Sequence, residues 1–157
     1  HDAGARLQIA DINRDAIARA VDEFGAVPVD THDIHAADVD VFAPCALGGV
    51  INDQTVGELS AKIVAGSANN QLADDRHGAE LAARGILYAP DYVINAGGII
   101  EIAHGTKFGG THDEAAIYKH LDGIHDTLLE IFERADTEGA ATNFVADQIA
   151  EERFRGA

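Results

Sequence analysis

Two asparagine-bearing segments, AGSANNQ at residues 65 to 71 and APDYVINAGG at residues 89 to 98, carry side chains suited to a flat ligand rich in hydrogen-bonding groups. A carboxamide offers a donor and an acceptor together, which fits a ribose hydroxyl or a nicotinamide carboxamide, and the neighbouring Gly and Ala let a ring approach the backbone. Each segment follows a β-like run, Lys62 to Ala65 and Ile86 to Ala89, where an α/β sheet would open its ligand crevice. Asn and Gly are also turn residues, and either segment alone reads first as a turn. Together, and in register with what precedes them, they favour a cofactor.

Asp11 closes the apolar run Leu7 to Ala10. An acidic residue at the end of the second strand of a dinucleotide-binding fold accepts hydrogen bonds from the adenosine ribose and repels a 2′-phosphate, a preference for NAD over NADP. The alternative is a surface Asp that caps the next helix. The G-x-G-x-x-G loop expected about 20 residues upstream is absent, because only ten residues precede Asp11. FAPCALGG, residues 42 to 49, follows another apolar run, and Gly48-Gly49 give a backbone that can meet a ligand through its amides. No His or base stands at a recognisable spacing from Cys45, so it reads as a small buried or half-buried thiol. The eight histidines include His32-x-x-His35 beside Asp30, Asp33 and Asp38, without a metal-ligand pattern, and His104, His112, His120 and His125 read as solvated positions. In NAGGIIEI, residues 95 to 102, Asn95 would cap a helix with two glycines in its first turn, and Ile99 and Ile102 would share one face. That face is an apolar pocket wall or part of the core.

The elements that must hold these residues follow from hydropathy. Asn13 caps a helix with Ile17, Ala20, Val21 and Phe24 on one stripe, and Gly25 ends it. Strands are expected at Leu7 to Ala10, Val27 to Val29, Val39 to Ala43, Ile63 to Ala65 and Ile86 to Ala89, in the order β, α, β, β, α, β, α, β. Unbroken apolar runs fit strands covered on both faces of a parallel sheet, hence a doubly wound α/β fold. After Asn95 the chain reads as helical throughout. One helix is expected over residues 95 to 105, then an amphipathic one carrying Ile117, Leu121, Ile124, Leu128, Ile131 and Ala135, and a last one from Asn143 to Arg155 carrying Val145, Ile149 and Phe154. The long helix packs either within the domain or on a neighbour. No second core is evident.

At 157 residues and 46% hydrophobic, the chain suits one globular domain. No apolar run approaches the ~18 residues of a membrane span. The start, His1-Asp2-Ala3-Gly4, has no Met and no signal-peptide features, so a fragment is expected. A single cysteine fits a reducing cytoplasm. Against 11 Lys plus Arg, 27 Asp plus Glu make nucleic acid an improbable partner, and the net charge of -16 points to a cytoplasm where salt screens self-repulsion.

DIN at 11 to 13, APCALGGVIND at 43 to 53, AGSANNQL at 65 to 72, APDYVINAGGII at 89 to 100 and AEER at 150 to 153 resemble the leucine dehydrogenase branch of the glutamate/leucine/phenylalanine/valine dehydrogenase family. The resemblance covers nearly the whole chain. It implies the C-terminal dinucleotide-binding domain of a two-domain enzyme, without its first strand and glycine loop. Residues 1–105 would be the truncated dinucleotide-binding domain, and residues 106–157 helices that pack on it and on an N-terminal catalytic domain lying elsewhere. It further implies reversible oxidative deamination of leucine or another branched-chain L-amino acid with NAD, in a homo-oligomer. Valine or phenylalanine dehydrogenase, or a non-catalytic NAD-sensing module, are the alternatives. Asp11 and Ile12 would lie at the adenosine ribose, and Cys45, Ala46 and Leu47 along the cofactor. Ala68 would touch the cofactor, Asn69 would meet the nicotinamide ribose or the substrate, and Asn95 the carboxamide. Ile99 and Ile102 would line the substrate pocket. The catalytic lysine and aspartate would sit on the other domain, leaving none here, and no metal is implied.

Overall fold

Asn13 fixes the start of the first helix: its side-chain oxygen accepts from the N–H groups of Asp15 and Ala16, two donors that no helical carbonyl reaches. Gly25 ends it at φ +62°, a left-handed conformation that costs glycine little. The computed structural model describes residues 1–104 and 113–156. In it α1 spans Arg14–Phe24, between β1 (Gln8–Ile9) and β2 (Val27–Pro28), which pair in parallel. A short 3-10 turn at Ile34–Ala36 leads to β3 (Val41–Phe42), and β4 (Ile63–Val64), α2 (Arg76–Ala83) and β5 (Leu87–Tyr88) follow. The expected order of strands is present, each trimmed to its paired centre.

All strand pairs are parallel, as the unbroken apolar runs predict, but they form two sheets, β1-β2 and β3-β4-β5. In the doubly wound order 3-2-1-4-5-6, β2, β1, β3, β4 and β5 take places three, two, four, five and six. The break falls where the first strand would stand, leaving one edge of β1 and one of β3 without a strand partner among the described residues. Burial on both faces is not met. Phe42, Val64 and Tyr88, in register, are buried against Ile51, Val56, Leu59 and Leu81. The row on the other face, Val41, Ile63 and Leu87, stays open, with Val41 47% and Leu87 39% exposed.

A second correction concerns the stretch between β3 and β4, where the expected order places a helix and turns are found. Asn52 takes the Gln54 and Thr55 N–H groups on its own side-chain oxygen, and Thr55 Oγ1 donates to the Val50 carbonyl (2.5 Å). These side-chain bonds compete with helical ones. Arg84 then satisfies the freed carbonyls of Val56 and Leu59.

After β5 the chain is helical: α3 (Asp91–Ile94), α4 (Gly97–His104), α5 (Glu114–Glu138) and α6 (Thr142–Arg155). The stripe of α5 is turned inward: Ile117, Ile131 and Ala135 are buried, and α5 packs on α3, α4 and α6. Ile131 and Ala135 meet Val145, Ala146 and Ile149 of α6 in a second apolar cluster, which the sequence reading does not anticipate. Phe154 stays out of it, 85% exposed. Thr142 Oγ1 ties α6 to the Tyr88 carbonyl (2.7 Å), and Tyr92 Oη to the Asn143 carbonyl (3.0 Å). The expected boundary between residues 105 and 106, the last residue of the helix predicted over 95 to 105, and His112 lie outside the described residues.

Candidate cofactor and substrate site

Three loops leave the carboxyl ends of β3, β4 and β5, the side on which parallel α/β sheets bind ligands. Their close approach depends on missing side chains. A Cβ on Gly66 would lie 2.1 Å from the Pro44 carbonyl oxygen, and one on Gly48 would lie 2.7 and 2.8 Å from the carbonyl oxygens of Asn69 and Asn70. Backbone bonds hold the first two loops together: Ala68 N–H to Pro44 O (2.9 Å) and Gly49 N–H to Asn70 O (2.7 Å). Gln71, fully buried beneath, donates to the carbonyls of Gly66 and Ala68.

The third loop joins through Asn95. Its Nδ2 donates to the Ser67 carbonyl (2.7 Å) and to Asn69 Oδ1 (2.7 Å). A carbonyl only accepts, so the Ser67 contact fixes which way the Asn95 amide faces, and that in turn fixes Asn69. Left over are one acceptor, Asn95 Oδ1, and one donor, Asn69 Nδ2. Among the described residues neither has a partner. A primary carboxamide or a ribose diol supplies the complementary pair, so the residues fit a nicotinamide nucleoside.

Asn95 is not the N-cap of the glycine-bearing helix. It is the C-cap of α3, α4 begins at Gly97, and the Asn95 side chain turns to the β4 loop instead. On α4, Ile100 is buried, whereas Ile99 is 69% and Ile102 48% exposed. Cys45 is also a correction. It is exposed, as are Ala46 and Leu47, because the chain turns outward after the buried Pro44. Ala68 is buried and both its backbone polar groups are engaged, so it shapes the loop rather than offering a bond. Asp11 and Ile12 lie past the end of β1 and are exposed, and no hydrogen bond joins them to the three loops among the described residues. Asp11 does not cap α1 either, since Asn13 holds that place; its Oδ1 accepts from Asn13 N–H (2.7 Å) and closes a turn just before the helix, while no bond to its second oxygen occurs among the described residues.

Several residues of the site are not singled out by the sequence. Asp91 is buried, one helical turn before Asn95, and its carboxylate takes the Tyr88 hydroxyl (2.5 Å) and the Asn70 N–H (2.7 Å). Burial, with the Asp91 carboxylate second, pushes the Tyr88 phenol up from its ordinary value. The i, i+4 spacing of two polar residues in DYVIN was the available signal. His77, buried at the start of α2, accepts Asp74 N–H at Nδ1, so Nε2 carries the proton it gives to Asp53 (2.8 Å). That bond, with Arg76 second, holds the Asp53 carboxyl below the usual carboxylate range. His35 pairs with Glu58 (2.6 Å), and at the surface His104 meets His120 (3.1 Å).

The profile of the glutamate/leucine/phenylalanine/valine dehydrogenases matches residues 5–148. Over 154 residues, 98% of this chain, it is 50% identical to the leucine dehydrogenase of Geobacillus stearothermophilus and 48% identical to that of Bacillus cereus. It spans 41% of the length of each. The crystal structure of L-tryptophan dehydrogenase from Nostoc punctiforme superposes with a TM-score of 0.93 at 43% identity, covering 99% of this chain and 46% of that one. With three loops converging at the ends of parallel strands and a family match over nearly its full length, the chain belongs to the glutamate/leucine/phenylalanine/valine dehydrogenase family.

Proposed function

We propose that this chain is the cofactor-binding part of an NAD-dependent L-amino-acid dehydrogenase acting on leucine or another branched-chain amino acid. The overall reaction takes an L-amino acid, NAD⁺ and water to the 2-oxo acid, ammonium, NADH and a proton. The observation that carries this reading is the fixed Asn95–Asn69 pair, whose spare acceptor and donor match a carboxamide at the carboxyl ends of β4 and β5. Asn69 and Asn95 orient the ring, the exposed backbone at Cys45, Ala46 and Leu47 runs along the cofactor, and Asp11 with Ile12 receives the adenosine ribose. The carboxylate of Asp11 disfavours a 2′-phosphate, hence NAD over NADP. The chemistry that a bound nicotinamide supplies is acceptance of a hydride from Cα.

Ile99 and Ile102 form one wall of the substrate pocket. Their exposure on α4 leaves them free to meet a side chain brought by substrate. Two branched aliphatic residues suit a branched aliphatic partner better than an aromatic ring, a preference worth about 1–3 kcal/mol. The lysine and aspartate that handle protons belong to the part of the polypeptide outside this chain, which completes a homo-oligomeric enzyme in the cytoplasm. The exposed single cysteine suits a reducing compartment.

The test is kcat/KM on the full-length protein with leucine, valine, phenylalanine and tryptophan, each with NAD and with NADP, followed by NADH or NADPH fluorescence. Leucine or valine with NAD should lead. An aromatic-led profile would overturn the pocket reading, and no turnover with any pair would overturn the enzyme.

A further inference from the structure

We infer that Asp91 is a positioning residue for cofactor binding: it sets the backbone of the Asn69–Asn70 loop from beneath, without meeting the cofactor itself. The inference rests on the cofactor reading of the Asn69–Asn95 pair and deepens it. Asp91 is 7% exposed, and among the described residues no cation pairs with it. A carboxylate without a counter-charge is costly to bury, so its hydrogen bonds must carry its weight. There are two from neutral donors: Tyr88 Oη at 2.5 Å on Oδ1, and Asn70 N–H at 2.7 Å on Oδ2.

The second bond falls on a special residue. Asn70, at φ +53°, is the one non-glycine with positive φ among the described residues. Asn tolerates that conformation better than most residues but still needs surroundings that hold it there. Asp91 grips its N–H, Gly49 N–H grips its carbonyl, and Gly48 lets the loop lie flat against the β3 loop. One turn further along the same short helix, Asn95 grips the Asn69 side chain. Asp91 and Asn95 therefore act as the two jaws of one bracket, one on backbone and one on side chain. The bracket is anchored in turn, because Tyr88, which fixes Asp91, has its carbonyl bound by Thr142 of α6. Without Asp91 the Asn70 N–H would lose its acceptor, the left-handed turn would relax, and Asn69 would leave the geometry in which its free donor matches a carboxamide.

The test uses the full-length protein, with NADH binding by fluorescence, steady-state kinetics and chemical denaturation on each variant. Asp91→Leu keeps the branched skeleton, with methyls bulkier than the oxygens they replace, and removes both acceptors. Asp91→Asn keeps an acceptor for Asn70 N–H and gives Tyr88 Oη a donor. Asp91→Leu is expected to raise the NADH Kd and the NAD KM about tenfold or more, the size of a lost charge-assisted bond. The amino-acid KM should move less than about threefold on the same scale. Asp91→Asn should restore NADH affinity to within about threefold of the parent. A folded Asp91→Leu protein with parental NADH affinity, or equal losses in both variants, overturns the inference. If Asp91→Leu yields no folded protein, Tyr88→Phe decides: it frees one carboxylate oxygen and should weaken NADH binding about threefold, and unchanged binding overturns the inference. Asn95→Ala separates the two levels. If it weakens NADH binding while Asp91→Leu does not, only the positioning role falls. If it leaves binding unchanged, the cofactor reading falls and the inference with it.

Discussion

Asp11 offers a carboxylate with one oxygen engaged and the other assigned to the adenosine ribose by the reading proposed above. One oxygen closes a turn on Asn13 N–H, which fixes the side chain, and no bond to the other occurs among the described residues. Asp11→Ser is therefore an informative variant, because a hydroxyl can still accept from Asn13 N–H while the charge is gone. In the full-length protein NAD affinity should fall by about tenfold and the preference for NAD over NADP should narrow, since the repulsion of a 2′-phosphate is lost. Equilibrium binding of both cofactors measures this, and an unchanged ratio removes Asp11 from the site. At this scale residue types were legible: Asn69 and Asn95 were identified as carboxamides fit for a cofactor, and the fold brings their side chains together. Their surroundings were not. Nothing in APDYV distinguishes a buried Asp91 from an ordinary acidic residue in a helix's first turn, and nothing in FAPCALGG says that Cys45 faces out.

Elements were readable where local forces alone decide them. α1 has the expected side-chain cap and terminal glycine, and α5 has the expected apolar stripe; the structure adds the left-handed Gly139 that ends α5. The α5–α6 seam is where a single change should tell most. Ile131 is buried between Ala135, Val145 and Ile149, so Ile131→Ala should cost about 2–5 kcal/mol by loss of transfer energy and creation of a cavity. Leu129, two residues away and exposed, should cost less than about 1 kcal/mol when changed to Ala. Denaturant midpoints compare the two, and equal costs would refute the seam as the main packing surface of these helices. Residues 44 to 62 went the other way, because Asn52, Thr55 and Arg84 satisfy the backbone there with side chains, and Arg84 lies 28 residues along the chain from Val56. No local pattern carries that.

For the whole molecule the net charge of -16 is the dominant long-range term. The few cations are shared out in surface pairs: Arg134 bridges Glu138 and Glu152, Arg153 meets Glu130, and Arg76 meets Asp53 and Glu80. Such exposed pairs contribute little, and most carboxylates repel one another. Melting temperature should therefore rise by several degrees between low salt and molar KCl as the repulsion is screened. A melting temperature independent of KCl would rule out self-repulsion as a limit on stability. The sequence by itself determined the parallel α/β character, the helical end and the identity of the carboxamides, because hydropathy period, capping chemistry and side-chain donor sets are properties of short stretches. Only the tertiary structure decided three things: that the strands part into two sheets, that one sheet face stays open, and that Asp91 and Asn95 close on the β4 loop. Each depends on which segments distant in sequence come within hydrogen-bond reach, and that is settled by packing the whole chain.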